Sequence, residues 1–583
     1  MYDAQSDRTW PLLEPRKISY APCVQTWSLP IESRPEWITT SGSDRGESLP
    51  SYASSDEQLP STKHSEKARP TTSSKPGPTC EQKYDSLKHL CLEGIEDLER
   101  YEPGGFHPVD LSDILDGRFE VVYKLGNGGI GMVWLCYEFR VKKWRAIKIN
   151  AAHRSSDDSP ELKALQVVKE NSITLAELNA NHVVMPLETF WIEGPNGRHL
   201  CSVLPVLGPT VEDWRNGVGP DSARVNSVCR QITEGLGFLH SQGICHADFR
   251  PQNILMKLKE EDIFAGRNKD EVLSLLPPPK RAEIITLDGN PTPHAPRWII
   301  EEENWLLYAP KGLTSDNIAI VDFGESFKVS SSSPTPSPKS LGIPLKYAAP
   351  EVAFGGPGGI PGGVGCDIWS LAYTLMEVRL GRSILVKTVL GVIWLMERFV
   401  GPVPCPYRAR AAGMLRCFLG RFGGGGGRMG VEWMEYLDKE EQLALEEDKD
   451  DDASSSSSPP LLRLTAPDKS LKELEEEEAE NSPYTEPLEI FLGKELTASF
   501  YYSEDSTDGG AIGGGGWGGT WKTVNYHLPG DEVVAFADLL TKMLRYEPAE
   551  RIGASEALKH CWFGGRTSDQ EKDGSFMVVD EVL

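Results

Sequence analysis

The 583-residue sequence has no Cys-x-x-Cys pair, and its 11 cysteines are scattered and odd in number. This spacing excludes a zinc ribbon and a disulfide framework, and it fits ordinary thiols in a reducing compartment. Long apolar runs are also lacking. The most apolar stretch, Leu385 to Val400, carries Lys387, Glu397 and Arg398 and is too short to span a bilayer. Met1 to Asp7 shows neither a basic leader nor an apolar core, so no secretory signal is read there. Basic residues are scarce beside acidic ones, with 60 Lys and Arg against 86 Asp and Glu and a formal net charge of −26. Direct nucleic-acid binding is therefore not expected, because phosphate contacts need clustered cations. A basic protein or peptide suits this balance better. The expectation is a soluble, monomeric, intracellular chain with no membrane association, in the cytoplasm with the nucleus as second compartment.

The length exceeds what one compact core organises, so folded units are expected alongside unstructured sequence. From Met1 to about Lys88 the chain is rich in Ser, Pro, Thr and charge without apolar periodicity. Ordering a residue costs about 1–2 kcal/mol of backbone entropy, which such a composition does not offset. Residues 1–100 are thus expected to be a disordered tail, with structure starting near Tyr101.

Phe119 to Leu125 alternates β-branched and aromatic residues and reads as a strand. The following Gly126-Asn127-Gly128-Gly129-Ile130-Gly131-Met132-Val133 matches G-x-G-x-x-G-x-V, a pattern that also fits dinucleotide-binding turns. A dinucleotide turn should open a helix, yet Met132 to Tyr137 is another strand. Strand, glycine loop, strand is a flap over phosphates. Trp144 to Ile149 then places Lys148 inside an apolar strand, where an ammonium needs anionic partners. The helix starting at Pro160 supplies a carboxylate, Glu161, with Glu170 as the second choice. Leu200 to Gly208 reads as an apolar strand ending in a connector with backbone groups for a purine. Val228, Ile232, Leu236 and Leu239 follow helical spacing and lead into Gly243 to Leu255.

That last stretch contains Asp248-Phe249-Arg250-Pro251-Gln252-Asn253. An Asp can accept a hydroxyl proton, an Arg can neutralise a moving phosphoryl group, and an Asn can hold a metal ion. The alternative is an Asp capping a turn beside a backbone-satisfying Asn. His240 and His246 have no second His or Cys at metal spacing and read as structural. Further on, Asn317 to Val321 is a buried strand ending in Asp322-Phe323-Gly324, and an Asp there can reach a Mg²⁺ that bridges two phosphates.

A glycine loop, a strand Lys, Asp-x-x-x-x-Asn and Asp-Phe-Gly in this order resemble a eukaryotic protein kinase, over about Asp116 to Phe563. Ala349-Pro350-Glu351, Asp367-Ile368-Trp369-Ser370 and Arg551 match later elements of that family. The lead-in Phe106-His107-Pro108-Val109 and an insertion between catalytic loop and Asp-Phe-Gly resemble the SR-protein kinases, and Ile343-Pro344, Asp322-Phe323-Gly324-Glu325-Ser326-Phe327 and Leu287-Asp288-Gly289 resemble their fungal branch. The resemblance implies an α+β bilobal protein kinase fold, with a β-rich N-lobe at about 117–207 and a mainly helical C-lobe at about 208–563. Inserts fall at about 257–316 and 423–521, and a tail follows at 564–583.

It further implies Ser/Thr phosphorylation of protein substrates, Arg/Ser-rich ones included, with ATP and Mg²⁺ as cofactors. By resemblance the catalytic residues are Asp248, Arg250, Lys148 and Glu161, with Lys148 paired to Glu161. ATP is held by Leu125, Gly126, Asn127, Gly128, Gly131, Val133, Ala146, Lys148 and Leu207, and Mg²⁺ by Asn253 and Asp322. Arg250 stands where the family has Lys, and Ala247 where most kinases have Arg. Without that Arg, activation-segment phosphorylation is not expected to be the main switch. A pseudokinase scaffold is the alternative. The acidic, Ser- and Gly-rich runs in 423–521 read as solvated linkers, or as an electrostatic collector for Arg-rich substrates.

Overall fold

The structure, a computed structural model, describes residues 83–84, 92, 94–218, 222–259, 267–274, 276–302, 314–329, 342–355, 363–384, 389–404, 407–408, 410–411, 487–502 and 520–564. The chain divides into two units, Met1–Thr79 and Cys80–Leu583, and every described residue lies in the second. The expectations for the N-terminal tail through residue 82, the acidic runs of 423–486 and the C-terminal tail after residue 564 fall outside these residues.

The N-lobe is an antiparallel six-stranded sheet of order β1-β2-β3-β4-β6-β5. Its strands are β1 Ile114–Leu115, β2 Phe119–Asn127, β3 Gly131–Glu138, β4 Lys143–Asn150, β5 Glu188–Gly194 and β6 Gly197–Leu204. Alternation sends Phe119, Val121, Met132, Trp134, Ile147 and Ile149 into one buried cluster. That cluster is closed by Tyr84, Leu98, Tyr101, Phe106 and Val109 from the N-terminal side, and by Ile299 and Ile300. Order therefore begins before Tyr101. The apolar residues of this segment are too sparse to show a period, and they pack as single anchors.

The segment 257–316 is likewise partly N-lobe. Helix α1 Pro160–Glu170 and helix α2 Leu175–Ala180 precede β5, while the insertion contributes a short helix, Lys269–Leu273, and the hairpin strands Arg281–Glu283 and Trp298–Ile300. Val272 and Leu276 pack with Tyr123, Leu135 and Trp144. Lys124 is fully buried, pairs with Glu96 and donates 2.9 Å to the Ile300 carbonyl, which ties the N-terminal segment, sheet and insertion together.

In the C-lobe, α3 Val211–Val218 and α4 Ser222–Ser241 lead to β7 Ile244–Cys245 and β8 Ile254–Leu258, and β8 pairs with Thr314–Ile320. Val228, Ile232, Leu236 and Leu239 of α4 are all buried, as their spacing predicts. The helix Val364–Leu380 is buried along nearly its whole length and carries Trp369 and Tyr373 through the centre of the lobe. The apolar run near residue 390 forms the helix Val389–Val400, whose Ile393 and Met396 are core residues. Among the described residues no helix is long and apolar enough to cross a membrane. Val533, Phe536, Leu539, Leu540 and Met543 line the buried face of Gly530–Met543. Within the insert expected at about 423–521, the structure describes residues 487–502 and 520–521. Leu488 and Leu492, one helical turn apart in Leu488–Leu492, dock on the core, and Leu496–Tyr502 pairs with Thr520–Tyr526.

Glu351 and Arg551 form a bidentate pair at 2.6 and 2.7 Å with both side chains 0% exposed. Removing one partner strands a buried charge. Arg551→Ala is expected to cost about 3–5 kcal/mol, read as a lowered urea midpoint at unchanged slope.

Candidate active site

Helix α1 buries Glu161, Ala164, Val167 and Val168, while Leu162 and Leu165 are only half-buried. The stripe Glu161, Ala164, Val168 follows i, i+3, i+7, so Glu161 points inward with the apolar residues. Its Oε2 accepts from Asn150 Nδ2 at 3.3 Å. Lys148 and Asn150 lie two apart on β4, hence on one face. The pair expected between Lys148 and Glu161 is displaced by this one step. Lys148 Nζ instead bonds Asp322 Oδ1 at 2.6 Å. Burial alone would lower the Lys148 ammonium, but Asp322 first, then Glu161, hold it above the ordinary lysine value. Glu170 is not a rival for Lys148, since it sits at the end of α1 and pairs with Lys328 at 2.8 Å.

The glycine loop closes through Gly128 N donating to Gly131 O at 2.9 Å. Gly131 admits no side chain, because a Cβ would stand 2.2 Å from the Ile149 carbonyl oxygen. Val133 lies opposite Lys148, and also opposite Gly126, while Leu135 faces Ala146. Directly opposite residues share a face, so Gly126, Val133, Ala146 and Lys148 form one surface under the loop. Half-buried Leu207 follows β6, and next to it Gly208 N donates 2.7 Å to Met256 O. Asn127 is the exception among the expected nucleotide positions. It pairs with Met132 on the other face, and its Nδ2 donates to Gly94 O at 2.6 Å and to Glu302 Oε2 at 2.8 Å.

The loop His246 to Asn253 hangs from the helix Val364–Leu380. Asp367, at 1% exposure, accepts from His246 N at 2.7 Å, Ala247 N at 2.8 Å and His240 Nε2 at 3.0 Å. Burial would raise its carboxyl, but the His240 bond and the other donors hold it below the usual value. His246 Nε2 donates to Val321 O at 3.0 Å and its Nδ1 accepts from Asp248 N at 3.3 Å, so both histidines are structural. The ring of His246 contacts Phe249 and Phe323. Cys245, Cys366 and Asp367 bring ligand-type atoms within 4.8 Å of one another, but the Asp367 oxygens already serve the catalytic-loop amides and His240. Ala247 and Asp322 adopt φ of 62° and 66°, backbone that non-glycine residues rarely take and that gathers at functional loops.

Around this frame Arg250 Nε donates to Asp248 Oδ1 at 3.0 Å, and Asn253 Nδ2 donates to Asp248 Oδ2 at 2.7 Å and to its carbonyl at 2.8 Å. Burial raises the Asp248 carboxyl, with Arg250 pulling the other way. Burial would also raise Asp322, but Lys148 holds it below the usual carboxylate value. The amide nitrogen of Asn253 is taken by Asp248, which leaves its amide oxygen, and Asp322 Oδ2, for a cation. Such hard oxygen donors fit Mg²⁺. Lys148 with the glycine loop fits a polyphosphate. A Cβ on Gly324 would lie 2.9 Å from Ile130 Cδ1 and 3.8 Å from Lys148 Nζ, so the loop tip, the strand Lys and Asp-Phe-Gly converge on one point.

Glu302, Arg154 and the anchoring role of Asp367 were not read from the sequence as site features. For Asp367 the signal was the Asp367-Ile368-Trp369-Ser370 match. Nothing local marked Glu302 or Arg154.

Residues 119–264 match the family model described as protein kinase domain. Over 202 residues the chain is 34% identical to SRSF protein kinase 3 of Homo sapiens, a match covering 33% of this chain and 35% of that protein. Serine/threonine-protein kinase spk-1 of Caenorhabditis elegans is 34% identical over 177 residues, 29% of this chain and 17% of that one. Serine/threonine-protein kinase SKY1 of Saccharomyces cerevisiae is 32% identical over 172 residues, with coverage of 28% and 23%. The matches thus span about a third or less of the length of these curated relatives.

Asp248 can accept a proton only when ionised, so that capacity is lost as pH falls through a pKa displaced upward by burial. Arg250 opposes the displacement. In a titration followed by ¹³C-Asp NMR, Asp248 is expected to protonate above the usual carboxylate range, and Arg250→Gln to move the transition to higher pH.

Proposed function

From a chain that carries a protein kinase domain and is SR-protein kinase-like in sequence, we propose a serine/threonine kinase that moves the ATP γ-phosphoryl group to protein hydroxyls. Arg/Ser-rich proteins are the substrate class. The observation that carries this reading is the convergence of Lys148, Asp248, Asn253 and Asp322 on one cleft, with Lys148 and Asp322 2.6 Å apart and Asn253 2.7 Å from Asp248.

Bound there, Mg-ATP supplies the phosphoryl group. Asp248 takes the proton of the acceptor hydroxyl, held in orientation by Arg250 and Asn253. Arg250 places a second positive charge beside the base, in keeping with a reaction carried mainly by positioning and electrostatics. Its guanidinium also bonds Gln252 Oε1 at 3.1 Å, a fork that a Lys would not provide. Lys148 and Asp322 neutralise each other; with Mg-ATP bound, Lys148 would hold phosphate oxygens and Asp322 would hold the metal.

Ala247 supplies no cation to receive an activation-segment phosphate. Arg154 instead pairs with Glu325 and donates 3.3 Å to Gly324 O, tying the segment after Asp322 to the N-lobe without modification. The names of the relatives and the net charge of −26 support basic substrates.

Radiolabelled transfer from Mg-ATP to an Arg-Ser repeat peptide and to an acidic Ser control tests the proposal. Transfer to the Arg-Ser peptide is expected, with Asp248→Asn reducing it about 10²–10⁴-fold. No transfer with ATP binding intact would overturn it in favour of a pseudokinase scaffold.

A further inference from the structure

The glycine loop of this chain is held from outside the kinase sheet. Glu302, just past the insertion strand Trp298–Ile300, accepts from the Asn127 main-chain N at 3.1 Å and from Asn127 Nδ2 at 2.8 Å. The same Asn127 amide donates 2.6 Å to the carbonyl of Gly94, in the N-terminal segment. Two residues upstream of Glu302, the Ile300 carbonyl receives Lys124 Nζ at 2.9 Å, and Glu96, two residues past Gly94, pairs with the same ammonium. Five polar contacts from two segments far apart in sequence thus grip the last residues of β2, immediately before Gly128. The grip continues into the site, since a Cβ on Gly126 would lie 3.5 Å from Glu302 Oε1.

A glycine-rich loop is cheap to deform, because glycine has the widest choice of backbone conformations. A loop that is free before nucleotide arrives must lose that freedom on binding, which weakens affinity; a loop ordered beforehand loses less. Glu302 orders Asn127 through both the backbone and the side chain, so it fixes the direction in which the loop leaves β2. The deeper end of the strap is the fully buried Lys124, which gives the exposed Glu302 contact a rigid base.

We propose that Glu302 is a positioning residue for nucleotide: through Asn127 it presets the glycine loop for phosphate, and the N-terminal segment and the insertion act together as its support. This rests on the site being a nucleotide site, as proposed above, but not on turnover.

The test is Mg-ATP binding by isothermal titration on the full chain, with steady-state kinetics alongside. Loss of the two Asn127 bonds in Glu302→Ala is expected to raise the dissociation constant and KM for ATP about tenfold. The kcat at saturating ATP and the peptide KM should stay within about twofold, a split that general destabilisation would not give. Glu302→Gln, which keeps an acceptor oxygen, should bind nearly as the parent does. If Glu302→Ala does not fold, Asn127→Asp opposes the strap with a like charge and should show the same rise. ATP affinity unchanged or improved in the folded variant overturns the proposal, as does a parent chain that binds no Mg-ATP. Because binding needs no catalysis, a pseudokinase outcome for the function leaves this test decisive.

Discussion

The carboxylate of Asp367 is the contact on which the arrangement of the site depends. It sits in the first turn of a helix that is itself the centre of the C-lobe core, and it accepts the main-chain amides of His246 and Ala247. A carboxylate buried this deeply is stable only when donors surround it. The loop carrying His246 and Ala247 must therefore pass over it, and the unusual backbone at Ala247 follows. Asp248 emerges on the far side of that turn, already oriented, with Asn253 and Arg250 closing on its two oxygens. The loop is rigid because the lobe beneath it is packed, and substitutions in that helix would act on chemistry they never touch.

On the N-lobe side the corresponding constraint is electrostatic. Lys148 is buried in an apolar strand and needs an anion, which Asp322 supplies. Glu161 lies on the same side of the sheet and adds to the field without forming the bond. The Lys148–Asp322 contact thus joins the two lobes beside the glycine loop. Arg154 with Glu325 and Lys328 with Glu170 repeat the pattern along the segment that follows.

What was legible in the sequence was what has a local signal. Period-2 strands, the glycine loop, the helix of Val228 to Leu239 and the Asp-x-x-x-x-Asn loop are each readable because their chemistry is confined to a few neighbouring residues. What was not legible depends on long-range packing. Tyr84 and Leu98 look like tail residues until Ile299 and Ile300 arrive beside them. Leu488 and Leu492 vanish into acidic low-complexity sequence until the C-lobe core receives them. Asn127 sits inside the nucleotide motif, yet its amide faces Gly94 and Glu302, because strand alternation places it opposite Met132. Composition identified the insertion between catalytic loop and Asp-Phe-Gly, and only the fold makes part of it N-lobe.

We propose that Lys148, Asn253 and Asp322 form one metal-dependent nucleotide site. Calorimetric titration of ATP with Mg²⁺ and then with EDTA, in the parent and in Asp322→Asn, tests it most directly. The account predicts tight binding that requires Mg²⁺ and is lost or made metal-independent by the substitution. Binding of equal strength with and without Mg²⁺ in the parent, or untouched by Asp322→Asn, would contradict it.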